Sequence, residues 1–91
     1  MMELNNCKET IHGDNLAIDI NQDQNAFIVN KDTQNRLKLT IGLNIVVNVL
    51  GTISSGIIND IDYHNKVISY GDNYDEIGEY NSNYVKAVGI L

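Results

Sequence analysis

The chain has no proline and no tryptophan, and among its 91 residues it carries one cysteine, one arginine and one phenylalanine. Cys7 has no second thiol to pair with, so an internal disulfide is excluded, which suits a reducing compartment. Cations are scarce. Six basic residues face twelve acidic ones, for a net charge of −6. Such a surface repels nucleic-acid phosphates, so direct DNA or RNA binding is disfavoured. The N-terminus lacks a cationic, apolar segment, and no secretory signal is expected. No glycine-rich phosphate loop is present. Ser54, Ser55, His12, His64 and Cys7 supply the residue types of nucleophilic catalysis, but no spacing links them. The expectation is a protein without enzymatic activity and without a cofactor.

The lack of proline and tryptophan, the single arginine, and the 14 asparagines and 13 isoleucines are the bias that AT-rich codons produce. AT-rich codons supply lysine freely, yet there are only five. The lysine shortage is therefore a property of the protein and points to a useful acidic surface. Solubility alone is the competing explanation. A chain this short makes one domain, residues 1–91, with a modest core that self-association or a partner would help to stabilise.

What is present is organised around Arg36 to Leu50. Every odd position from 37 to 49 is apolar: Leu37, Leu39, Ile41, Leu43, Ile45, Val47 and Val49. This period of two predicts an extended segment that buries its odd face, with Ile41, Ile45 and Val47 in the core and a bend at Gly42. A helical reading competes. Asn44, Asn48, Thr52, Ser55, Asn59 and Asp62 form a stripe at helical spacing, and residues 39–59 carry no charge, long enough for a membrane span. The wealth of Ile, Val and Thr and the glycines at 42, 51 and 56 favour strands.

Around this centre, residues 1–14 read as a short helical turn or loose arm, and 16–20 and 26–29 as a hairpin across a polar loop. After Leu50 a three-residue turn would set Val49 opposite Ile53 and Ile45 opposite Ile57. A two-residue turn at Asn65-Lys66 would set Tyr63 opposite Ile68 and Ile61 opposite Tyr70. Residues 71–83 read as an acidic loop outside the core, and the apolar C-terminus as a last strand. The fold class expected is mostly β: a single small antiparallel sheet or barrel-like domain of five to six strands.

Three groups of side chains are candidates for function. Asp60, Asp62 and His64 alternate along a strand and are metal-ligand types, although a solvent-facing edge beside a turn explains them as well. Glu9, His12 and Asp14 form a weaker mixed cluster. Asp72, Asn73, Asp75, Glu76 and Glu79 are rich in oxygen but do not follow the EF-hand order. The same stretch also carries the most informative set: Tyr70, Tyr74, Tyr80 and Tyr84, interleaved with Asp72, Asp75, Glu76 and Glu79. Tyrosine gives large contact area at low entropic cost, and such mixtures suit binding surfaces. The alternative is an ordinary loop whose tyrosines cover a core edge.

Size, acidity and codon bias together suit a protein of a phage or other mobile element. The expected role is that of an acidic stoichiometric inhibitor, in the host cytoplasm, of a host protein with a basic surface, such as a nucleic-acid-binding defence protein. The alternative is a virion or filament subunit assembling through strand contacts, for which the long strand and apolar C-terminus speak. A homo-oligomer and a single-span membrane protein at 39–59 stay open as further readings.

Overall fold

The computed structural model describes residues 4–91, and within these nine strands form two antiparallel sheets. The strands are β1 (Glu9–His12), β2 (Leu16–Ile20), β3 (Ala26–Asn30), β4 (Arg36–Lys38), β5 (Asn44–Val49), β6 (Thr52–Asp62), β7 (Val67–Tyr70), β8 (Asp75–Gly78) and β9 (Val85–Ile90). Six of them run in the order β1-β9-β5-β6-β7-β8, and the other three in the order β2-β3-β4. The mostly β class therefore stands, with two sheets in place of one and more strands than the pattern suggests. Leu16, Ile18, Ile28, Leu37 and Leu39 from the smaller sheet share one apolar cluster with Ile45, Val47, Ile58, Ile68 and Val88 from the larger.

The central segment does more than bend. Residues 36–50 split into β4 and β5, which belong to different sheets. The break is a turn in which Leu43 N–H donates to Thr40 O and Gly42 takes φ +96°. Only glycine adopts that angle without strain, and a turn of this type asks for it at its third position. The turn lifts Ile41 out of the core, to 61 % exposure, whereas Ile45 and Val47 are fully buried as the alternation predicts. Residues 39–59 contain a turn and a hairpin, and among the described residues no helix is long and apolar enough to cross a membrane.

Turn chemistry also corrects both registers. β5 and β6 meet through two residues, Leu50 (φ 51°) and Gly51 (φ 90°), and pair Val49 with Thr52, Asn48 with Ile53 and Asn44 with Ile57. Two successive positive φ angles make the hairpin turn whose twist matches its strands. The one-residue difference from the expected register turns Ile53 and Ile57 away from the core. Further along β6 a bulge falls between Ile58 and Asp60. It reverses the parity, so Ile58 and Ile61, three apart, both face inward. The next turn spans residues 63–66, leaving Ile61 opposite Ile68, and Ile58 opposite Tyr70.

Two segments read as arm and loop contain strands. The N-terminal arm holds a 3-10 turn at Leu4–Asn6 and then β1, which pairs with β9. The acidic stretch 71–83 holds β8, whose Ile77 is fully buried, and a 3-10 helix at Glu79–Tyr84. It thus contributes Ile77 to the core, while most of its other side chains stay exposed. The apolar C-terminus lies inside the larger sheet, between β1 and β5.

Candidate functional site

The tyrosine and acid group is drawn from four elements. Tyr70 ends β7, Asp72 and Tyr74 lie in the turn that follows, Asp75 and Glu76 open β8, and Glu79, Tyr80 and Tyr84 belong to the 3-10 helix. Tyr70 does not join the surface. It is 2 % exposed, and its hydroxyl meets Ser54 Oγ at 2.7 Å. Just after it the Gly71 backbone crosses close to β6 at Gly56, where an added Cβ would collide with it. Burial raises the Tyr70 pKa, while the Ser54 hydrogen bond opposes that shift.

Tyr74 and Tyr80 stand out from the surface at 69 % and 67 % exposure. Tyr74 is held at φ 53°, with its N–H bonded to Gly71 O. Tyr80 lies over Gly78, where its ring edge comes within 3.0 Å of the position a Cβ would take. Between them Asp75 and Glu76 are exposed but diverge, because strand alternation puts Asp75 on the side of buried Ile77 and Glu76 on the other. Glu79 pairs with Lys66 at 3.4 Å across the strand ends. Tyr84 sits apart, beside the β5–β6 tip, where its carbonyl accepts the Leu50 N–H.

The support for this surface is Asn81, which composition gave no reason to single out. Its Oδ1 accepts the Gly78 N–H at 2.8 Å and its Nδ2 donates to Glu76 O at 3.4 Å. These are groups that the outer edge of β8 would offer to a further strand, so the asparagine amide stands where a neighbouring peptide would. The other three edges are also protected. The 3-10 helix lies against β2. β4 is three residues long and flanks Leu37 with Arg36 and Lys38. On β1 the outward carbonyl of His12 accepts Asn30 Nδ2 at 2.8 Å.

The metal-ligand candidates are separated. Asp60 and Asp62 stay on the outer side of β6, but His64 has left the strand for the turn. Asp62 is committed to that turn. It accepts the N–H groups of Asn65 and His64 at 2.9 and 3.1 Å, and Asn65 Nδ2 at 2.9 Å. These bonds, Asn65 first, lower its pKa. Among the described residues no three His, Cys, Asp or Glu side chains gather at one place. Glu9 and His12, three apart on β1, take opposite faces of the strand.

An open groove of about 490 Å³ runs past Thr10, His12, Asn30, Asn35 and Arg36. The guanidinium of Arg36 is already engaged. It bonds Asp19 at 2.7 Å and stacks 4.2 Å over the Phe27 ring. The lone arginine is therefore part of the sheet surface, which leaves exposed tyrosines as the aromatic anchors. A second groove, of about 410 Å³, lies between Asn44, Ser55, Ile57, Asn59 and Asp72. Of the serines, Ser54 has its hydroxyl bonded to that of Tyr70. No family model matches the chain, and neither a search of curated proteins nor one of solved structures returns a match.

Proposed function

We propose that the protein works by contact with another protein and not by catalysis, through the surface that carries Tyr74, Asp75, Glu76, Glu79 and Tyr80. The observation that carries this reading is the pair of exposed tyrosines flanking an acidic edge strand that Asn81 holds in place. Large aromatic rings on fixed backbone bind with little loss of freedom, and the surrounding carboxylates draw in a basic partner. Asp72 adds a further negative charge in the adjoining turn, while Tyr84 stands apart at the far end of the 3-10 helix. With a net charge of −6, the role that fits is an acidic stoichiometric inhibitor covering a basic surface that otherwise holds nucleic acid. A phage or mobile-element origin and a site of action in the host cytoplasm belong to the same reading.

Assembly by strand addition has less to recommend it. The two features that suited it, a long apolar strand and an apolar C-terminus, are both used within the larger sheet, where β5 and β9 are interior strands. The test of the inhibitor reading is capture of a partner from the source cells, followed by titration with purified partner. Tyr74→Ala or Tyr80→Ala should speed dissociation, at about 1–4 kcal/mol for a buried ring. Binding that ignores ionic strength and all substitutions in this surface would overturn it.

A further inference from the structure

We infer that an arginine-bearing segment of the partner docks on the outer face of the larger sheet at β6–β8, an inference that rests on the reading of a basic protein partner. The strand registers bring together side chains far apart in sequence. Asp60 pairs with Ser69 and Ser69 with Glu76, so these three form one row across β6, β7 and β8. Asp62, Val67 and Gly78 form the next row. Both rows point away from the core, because Ile61, Ile68 and Ile77, each set between them in its strand, are buried. Asp60 and Glu76 are exposed, whereas Val67 and Ser69 are half-buried. The shorter side chains of β7 thus lie between carboxylates, and the face is a shallow trough. Gly78 has no side chain to fill its place in the row. The exposed Tyr80 ring covers it, within 3.0 Å of where a Cβ would stand. The face therefore joins an aromatic ring to Glu76 and to the acids of β6, which lie outside the surface around Tyr74.

Charge and geometry together name the occupant. Strand spacing sets the backbones of Asp60 and Glu76 about 10 Å apart, with β7 between them. A cation lying over Ser69 is attracted from both sides of the trough, and one over Val67 meets Asp62 and the Tyr80 ring. Asp62 brings its charge although its carboxylate already accepts bonds from His64 and Asn65. Little opposes this field. From Thr52 to Gly78 the one lysine or arginine is Lys66, in the β6–β7 turn, and Glu79 pairs with it at 3.4 Å. The groove beside Asn59 adds Asp72 and no cation. Among cations, arginine fits this face best. Its planar guanidinium bonds a carboxylate through two N–H groups and stacks on an aromatic ring, whereas a lysine ammonium is a compact point charge. Arginine is also the side chain that a surface built to hold phosphates offers.

Titration of the isotope-labelled full chain with a decaarginine peptide at low salt, followed by NMR, tests this, with decalysine as the comparison. Amide shifts should centre on residues 60–62, 67–69 and 76–80, and decaarginine should bind more tightly than decalysine. Asp60→Lys should weaken decaarginine binding about threefold or more, whereas Asp23→Lys, the same change of charge in the β2–β3 turn, should alter it by less than about twofold. Ser69→Tyr, which fills the trough without altering charge, should weaken it as well. Should Asp60→Lys disturb the sheet, as circular dichroism would show, Asp60→Asn gives the same reading at smaller magnitude. Shifts confined to Tyr74, Asp75 and their turn would overturn this placement and leave the basic-partner reading standing. Shifts spread evenly over all the carboxylates, or equal binding of the two peptides, would overturn it too. Absence of any binding at low salt would remove both the placement and the reading it rests on.

Discussion

Tyr70 carries a polar hydroxyl into an apolar interior, and one serine makes that tolerable. With the phenol pKa raised by burial, the neutral form is the one the fold prefers. Its contribution is fully present below the ordinary tyrosine value and is lost as pH rises through about 10 towards the raised value. Tyr70→Phe should cost about 0.5–1.5 kcal/mol at neutral pH and flatten the alkaline fall in melting temperature, measured by a series of thermal melts. Asp62 works in the opposite sense. Its lowered pKa contributes stability above the ordinary carboxylate range, lost as pH falls through the lowered value. Being exposed, it matters little to global stability, and an NMR titration of its carboxyl is the direct check. Leu50 is a position where the present residue is not the most stable one. Leu50→Asn should raise the melting temperature, by about 0.4–1 kcal/mol of stability, because asparagine accepts a left-handed backbone. Tyr70 and Leu50 also mark the limit of what single residues reveal. Tyr70 stands next to a polar run and reads as surface, but on β7 it shares the inward face with Ile68, two residues earlier.

At the scale of elements, strands with strict alternation and clear turns were legible. β2, β3 and the buried odd face of β5 follow directly from their side chains, and β9 from its apolar run. β1 and β8 were not, because four residues of mixed polarity become strands only when a neighbour pairs with them. The failure of the 36–50 segment to stay whole is instructive, since Gly42 was visible as a place to bend and the change of sheet was not. Energetics follow the split. Ile45→Ala should cost about 2–5 kcal/mol, whereas Ile41→Ala, on the turn, should change stability by less than about 0.5 kcal/mol in chemical denaturation. Gly56→Ala is the sharper test of how β6 and β7 meet. The added methyl would drive into the Gly71 backbone and should destabilise by about 1–3 kcal/mol or more. The candidate surface was half legible: its tyrosines and acids were plain in sequence, but the asparagine that fixes them, and the removal of Tyr70 from among them, depend on pairing.

For the molecule as a whole, a charge of −6 favours approach of a basic partner over an acidic one. Charge reversal at Asp75 and Glu76 should slow capture by a basic partner and flatten its salt dependence, with little effect on how fast the complex falls apart. The edges have a separate consequence, for solutions held at high concentration over long times. A contact that closes on itself about a twofold axis stops at two, whereas an open strand edge recruits without end. With Asn81 occupying the outer side of β8, concentrated protein should stay clear and show no thioflavin fluorescence over days. Asn81→Ala frees Gly78 N–H and Glu76 O at that edge, and fibres should then appear after a lag that shortens with concentration.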